Sequence, residues 1–228
     1  MQEVPIIEPY PDKDERVFGY RVARSSLATV PFVGAQLTEL VDACIGQPLI
    51  KRRDLWFSRL HEVLLDVQQK VENFQPENLA KDEEFITTVS RATDLVLKNN
   101  REDKIVAAEN IVFNSATGLK LDEVLRDTFF GLLDRFSPLH LKFLKVLNAP
   151  MENSLYANAV NSISAGAVVH GLEKVFPDLE GSTRTEILHD LKAAELSSGN
   201  ENTVMTGNGL RSSFTTERGK TFIRFISR

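Results

Sequence analysis

Two adjacent stretches of helical periodicity constrain the fold of this chain more than any other feature. Over residues 82–116, apolar residues recur at spacings of three and four, which places them on one face of each of two helices. Asp82 is a predicted N-cap, and Asn99 or Asn100 is a predicted left-handed helix end. Two helices joined this tightly predict an antiparallel hairpin, whose apolar faces need further helices to cover them. The predicted inward positions are Phe85, Ile86, Val89, Ala92, Thr93 and Val96, followed by Ile105, Ala108, Ile111 and Val112.

Further amphipathic segments on both sides of this hairpin predict a helical bundle over residues 27–150. The clearest is 54–74, whose apolar stripe runs from Trp56 to Phe74, and Pro76 ends it. Residues 121–136 predict another helix, and Ser137–Pro138 predicts the start of the next, because proline is favoured at the first helical position. The 42% hydrophobic and 26% charged residues are ordinary for a globular protein.

The N-terminal residues 1–26 predict an extended arm, since Pro5, Pro9 and Pro11 fix the backbone and remove hydrogen-bond donors. They lack the cationic and then apolar pattern of a signal peptide. The chain has no uncharged apolar run of about 18 residues, so a transmembrane helix is not expected. Cys44 is its single cysteine, which excludes an internal disulfide and a cysteine-rich zinc site. These features favour a cytoplasmic protein.

The most apolar stretch, 27–50, has two interpretations. Its stripe, which includes Val33 and Leu37, is typical of a buried bundle helix. The alternative is an amphipathic element on a membrane or a partner, supported by the basic cluster Lys51, Arg52 and Arg53 that follows it. Acidic residues on its polar face weigh against the membrane interpretation.

The C-terminal third predicts a different arrangement. Residues 153–176 favour a linking helix, and 183–196 favour a second helix. Thr203–Thr206 and Leu210–Thr215 predict strands around a glycine-rich turn at 207–209, and Thr216 predicts a last helix. This order resembles the wing and final helix of winged-helix proteins, with Thr216 to Gly219 as the preceding turn. The predicted fold is therefore mostly α: a multi-helix bundle over 27–150, then a small winged-helix-like α+β module with one β-hairpin within 151–228.

A winged-helix module raises the possibility of DNA binding. Residues 181–228 carry seven basic and five acidic residues, whereas the whole chain has a formal charge of −5. Contacts with DNA or a partner are assigned by this reasoning to Arg184, Lys192, Arg211, Arg218 and Lys220. The acidic residues of helix 183–196 oppose phosphate binding. The competing interpretation is a module for protein contact or self-association.

Catalytic motifs are scarce. Glu186 and His189 have the spacing of two metal ligands on one helix, but a di-iron site requires a second such pair and two further carboxylates. The glycines at 207–209 do not form a phosphate-binding motif. We therefore expect no enzyme activity, no metal, no cofactor and no small-molecule substrate.

The features from Lys51–Trp56, through Phe85–Asn114, to the segment 133–140 (LDRFSPLH) are similar to uncharacterised bacterial helical proteins related to the Abi-alpha abortive-infection domain. This resemblance covers about residues 25–150 and implies a bacterial protein of phage defence, without any catalytic residue. The expected function is a non-enzymatic interaction or regulatory protein. The alternatives are a winged-helix DNA-binding regulator and a membrane-active defence effector.

Overall fold

A computed structural model describes residues 47–72, 75–199 and 203–228, and these residues are mostly helical, as predicted. The chain divides into two compact units, Met1–Leu55 and Trp56–Arg228. The described helices are α1 (Gln47–Lys70), α2 (Pro76–Leu79), α3 (Glu83–Lys98), α4 (Glu102–Ala116), α5 (Glu123–Arg135), α6 (Pro138–Asn148), α7 (Ser154–Val160), α8 (Val168–Val175), α9 (Gly181–Ala193), α10 (Gly207–Arg211) and α11 (Glu217–Ile226). A 3₁₀ helix covers Pro150–Glu152, and the strands are β1 (Ala165–Gly166) and β2 (Met205–Thr206). The predicted arm and the positions Val33 and Leu37 lie outside the described residues.

Helix α1 begins earlier and ends earlier than predicted. Its first residue is Gln47, so Pro48 lies in the first turn, where proline is tolerated. The basic cluster 51–53 lies within α1. The predicted stripe is confirmed within Trp56–Arg228, because Trp56, Val63 and Val67 are buried. Helix α1 ends at Lys70.

The antiparallel hairpin of α3 and α4 is present with the predicted N-cap. A carboxylate oxygen of Asp82 accepts hydrogen bonds from the backbone N–H groups of Glu84 and Phe85, at 3.0 and 3.2 Å. The predicted left-handed residue at the end of α3 is wrong: Asn99 has φ −118°, and its side chain donates to the Leu95 carbonyl at 2.8 Å. Gly118, with φ +100°, supplies the left-handed residue that ends α4.

The buried face of the hairpin is rotated slightly from the predicted one. Ile86 is 42% exposed, whereas Leu95 is buried although it lay outside the predicted stripe. The buried positions of α4 include the predicted Ala108, Ile111 and Val112. The rotation follows from packing, because α3 contacts both α4 and α5 and must bury a wider face than a pair of helices requires.

The C-terminal third contains a small antiparallel sheet, but its strands come from distant parts of the chain. Ala165 pairs with Thr206 and Gly166 with Met205. The predicted linking helix 153–176 is therefore interrupted by β1 between α7 and α8. The glycines at 207–209 begin helix α10 and do not form a turn between strands, which corrects the predicted local hairpin and its second strand over 210–215. Glycine is required at position 207 because the backbone there lies close to the backbone of Ile163: a Cβ would lie 2.3 Å from the Ile163 carbonyl oxygen.

One hydrophobic core connects residues on both sides of the predicted boundary at 150. Phe222 of α11 meets Phe129 of α5 edge to face, with ring centroids 5.0 Å apart, and Phe225 meets Phe130 in the same geometry at 5.5 Å. All four rings are buried. The last helix is therefore an integral part of the core formed by residues 56–228. Within the described ranges, every helix is too short or too polar to cross a membrane.

Candidate functional site

The basic residues predicted to contact DNA or a partner are mostly engaged within the protein. Arg184 is only 9% exposed, and its guanidinium donates to the carbonyl oxygens of Phe176 and Leu179. It also lies 3.5 Å from a carboxylate oxygen of Glu173. These contacts join α8 to α9. The Arg184 guanidinium is therefore directed at carbonyl oxygens within the protein and is not presented to a DNA phosphate.

The other four predicted contact residues do not present a shared basic face either. Arg211 donates to the Asn161 carbonyl at 2.7 Å and thereby holds α10 against the end of α7. Arg218 lies 3.8 Å from a carboxylate oxygen of Glu195, and Lys220 lies 2.7 Å from one of Glu217. Lys192 is exposed on α9. In α1, Lys51 is exposed and Arg52 and Arg53 are half-buried.

A serine, a histidine and an aspartate form a hydrogen-bonded chain at the start of α6. The Ser137 hydroxyl lies 2.9 Å from His140 Nδ1, and His140 Nε2 lies 3.3 Å from a carboxylate oxygen of Asp190. The backbone N–H of Ser137 also donates to Nδ1, which makes Nδ1 an acceptor and places the imidazole proton on Nε2. Burial lowers the pKa of His140, and the hydrogen bond that Nε2 donates to Asp190 partly opposes this. Because Nδ1 is already occupied by a backbone donor, the arrangement caps α6 and does not leave a free base beside the serine.

Two further polar groups that the sequence did not single out are buried for structural reasons. Lys104 donates to the Asp134 carbonyl at 2.8 Å, at the end of α5, and burial lowers its pKa. Tyr156 donates to the Leu210 carbonyl at 3.2 Å, and burial raises its pKa to about 12. Both groups satisfy carbonyl oxygens and thereby join helices. Glu186 and His189 are exposed, and the described residues contain no group of three or more side chains suited to a metal ion.

An open groove of about 650 Å³ lies between α4, α6 and α11. All three helices contribute apolar residues to its lining, and polar and charged residues line it as well. Val106 of α4 is 40% exposed there, a high value for a valine in a packed helix. The apolar residues are Val106, Ala107, Pro138, Leu141, Leu144, Ile223 and Ile226, and the polar and charged ones include Asp103, Asn110, Lys142, Lys145, Glu152 and Arg228.

Two asparagines of α4 hold the C-terminal wall of this groove in place. Asn110 donates to the carbonyl of Ile226 at 2.9 Å. Asn114 donates to the carbonyls of Arg224, Phe225 and Ser227, at 2.8, 3.1 and 2.9 Å respectively. These carbonyls are the ones that a helix end leaves without partners. The amides therefore cap α11 from outside and fix the position of its wall residues.

A second, smaller cleft of about 360 Å³ adjoins the groove along α6. Its apolar lining includes Val146, Val175 and Phe176, and the Phe176 ring stacks on Phe143 at 4.4 Å. Lys142 and Lys145 line both the cleft and the groove. The two lysines therefore lie where the groove and the cleft adjoin, and we call this pair the lysine ridge.

The charges of the lysine ridge are only partly balanced within the protein. Lys142 lies 3.6 Å from a carboxylate oxygen of Asp103, and both side chains are about half exposed. Such exposed pairs contribute little to stability and exchange partners readily. Lys145 is exposed and has no ion-pair partner among the described residues. Glu152 lines both depressions and is the acidic residue nearest in sequence to the ridge.

This surface was not predicted from the sequence. Val106 and Ile223 are apolar residues outside the main stripes of their helices, and Lys142 and Lys145 are three apart on one helix face. Only the packing of α4, α6 and α11 brings them together.

Comparison with known proteins finds no family model that matches the chain, and no curated protein or solved structure matches it.

Proposed function

We propose that this protein is a non-enzymatic interaction or regulatory protein that binds a segment of a partner protein in the groove between α4, α6 and α11. The observation that carries the proposal is the groove itself: an open depression of about 650 Å³ that is lined by apolar residues of three helices together with charged residues. Grooves of this kind accept the apolar face of a helix or strand from a partner. Exposed apolar residues clustered in a groove favour such a use.

The remaining chemistry of the protein supports binding more than catalysis. The Ser137–His140–Asp190 chain caps a helix, and the buried Lys104 and Tyr156 satisfy carbonyl groups. The DNA-binding alternative has less support, because Arg184 and Arg211 bind carbonyl oxygens within the protein. The membrane-active alternative rests mainly on residues 27–46, which lie outside the described residues. The single cysteine fits a reducing compartment, so a cytoplasmic location is part of this proposal. A role in bacterial phage defence is included on the resemblance to the Abi-alpha domain alone.

Site-specific photo-crosslinking in the full chain tests this proposal. A benzophenone amino acid at Val106 reports on the groove, and the same amino acid at Val124, which is 76% exposed on α5, is the matched control. We expect a discrete adduct with a partner protein in cells from position 106, and none of the same mass from position 124. The adduct should disappear when Leu141→Asp is added. Absence of an adduct at 106, or an equal one at both positions, would overturn the proposal.

A further inference from the structure

The lysine ridge indicates what kind of segment this surface binds. The two depressions adjoin along α6, and Lys142 and Lys145 line both of them. A segment that enters both depressions has to cross the ridge. The side chains at the point of crossing then lie against two lysines, so their charge decides whether the segment binds.

We infer that the partner segment is acidic and amphipathic, with carboxylates that bind Lys142 and Lys145 and apolar residues on either side that enter the groove and the cleft. This inference rests on the proposed function and adds the chemistry of the partner. A carboxylate at the ridge replaces the exposed contact between Lys142 and Asp103 and supplies a partner for Lys145. The apolar residues supply most of the affinity, since Val106, Leu141 and Ile223 on one side, and Val175 and Phe176 on the other, are removed from water.

The overall charge of the protein makes this local preference selective. With a formal charge of −5, the molecule as a whole does not attract acidic segments, so an acidic segment has to find local cations. Lys142 and Lys145 supply two such cations. Glu152 lies at the same place and disfavours a carboxylate directly beside it, so the acidic residues of the partner are expected at the Lys142–Lys145 end of the crossing. A basic segment could form ion pairs with Glu152 and Asp103, but its positive charges would be repelled by Lys142 and Lys145.

Selection from a displayed library of random peptides against the full chain tests the inference. We expect the enriched peptides to carry two or more carboxylates between apolar residues. A fluorescent copy of the most enriched peptide should bind K142E/K145E at least about tenfold more weakly than the unmodified protein, because the contacts are lost and repulsion replaces them. The double variant K81E/K98E makes the same change of charge at exposed lysines outside both depressions, and it should bind the peptide with unchanged affinity.

The outcomes separate this inference from the proposed function. Neutral or basic enriched peptides that compete with crosslinking at position 106 would overturn the inference and leave the proposed function standing. Equal weakening in both double variants would also overturn the inference, since it would reflect net charge alone. Absence of any enriched peptide would overturn both. Displacement of the peptide by a short DNA duplex, or a protein dimer that K142E/K145E dissociates, would show that phosphate or a second copy occupies the ridge, and would overturn the inference.

Discussion

The α3–α4 hairpin and the segment from α7 to α11 are both helical, yet different kinds of interaction hold them together. The hairpin is defined by residues close in sequence, with Asp82 capping its start and Gly118 ending it. In the later segment, backbone groups bind distant backbone groups: the Phe214 N–H donates to the Leu147 carbonyl at 2.8 Å, and the Thr216 N–H donates to the Leu196 carbonyl at 3.1 Å. Local damage should therefore weaken the hairpin modestly, whereas damage to the later segment should weaken the whole core.

The replacement of Phe222 by alanine should have the largest effect. This ring is fully buried against Phe129, and truncation of a buried phenylalanine typically costs about 3–5 kcal/mol through lost burial and the cavity left behind. Urea unfolding followed by circular dichroism should show a single transition at much lower urea. If α11 instead melted separately and left the rest of the unfolding curve unchanged, the C-terminal segment would not share the core of the hairpin.

Two glycine replacements give a sharper contrast at the level of a single methyl group. A Cβ at Gly219 would lie 2.0 Å from the Leu196 carbonyl oxygen, so Gly219→Ala should destabilise the protein by about 1–3 kcal/mol through overpacking. A Cβ at Gly131, inside α5, meets nothing within 4 Å, so Gly131→Ala should stabilise it by about 0.5–1 kcal/mol. Thermal melting of both variants checks the signs. Equal signs would mean that close approach between backbones does not distinguish Gly219 from Gly131.

The external cap of α11 should contribute less than its buried rings. Asn114→Ala leaves three carbonyls without their amide donor, and water replaces part of the loss, so we expect destabilisation by about 1–2 kcal/mol. Hydrogen exchange should accelerate in α11 more than in α3. Asp82→Ala, which removes the N-cap of α3, is the companion variant, and the reverse pattern of exchange is expected for it. Identical patterns in the two variants would contradict independent local capping.

The smallest expected effect is a change in pH dependence from His140. Its pKa in the folded protein is lowered by burial, so the unfolded chain binds the proton more readily. The stability that this group contributes is therefore present above its ordinary pKa of about 6.5 and is lost as the pH falls through the lowered value. Urea unfolding at about pH 8 and about pH 5 should show that acidification lowers the free energy of unfolding less in His140→Gln than in the unmodified protein. At both pH values, the loss of the cap on α6 should lower the free energy of unfolding of the variant by about 0.5–1 kcal/mol. An equal loss in both proteins would exclude a proton-linked role for His140.

Sequence periodicity anticipated the hairpin because the positions that matter there are three or four residues apart. Periodicity did not predict the burial of Leu95 and wrongly predicted the burial of Ile86, because the width of the buried face depends on α5 as well as α4. In the C-terminal third, the predicted local hairpin at 207–209 was replaced by pairing between β1 and β2, which are about forty residues apart in the chain. Turn propensity cannot distinguish a glycine needed for a turn from one needed for close approach.

In the candidate site, too, local sequence patterns did not predict the features that depend on tertiary packing. Among the predicted contact residues, Arg184 has the right charge but is buried under carbonyl groups, and the sequence holds no local signal of this. The lysine ridge was not predicted, because Lys142 and Lys145 look like ordinary polar residues of an amphipathic helix in the sequence. Their position between two depressions depends on the packing of other segments around α6.

By itself, the sequence determined the helical class of the protein and the ends of its central hairpin, since caps and periodicity act within a few residues. Only the tertiary structure decided the partners of β1 and β2, the burial of Arg184 and the groove between α4, α6 and α11, because these depend on surfaces from segments far apart in the chain.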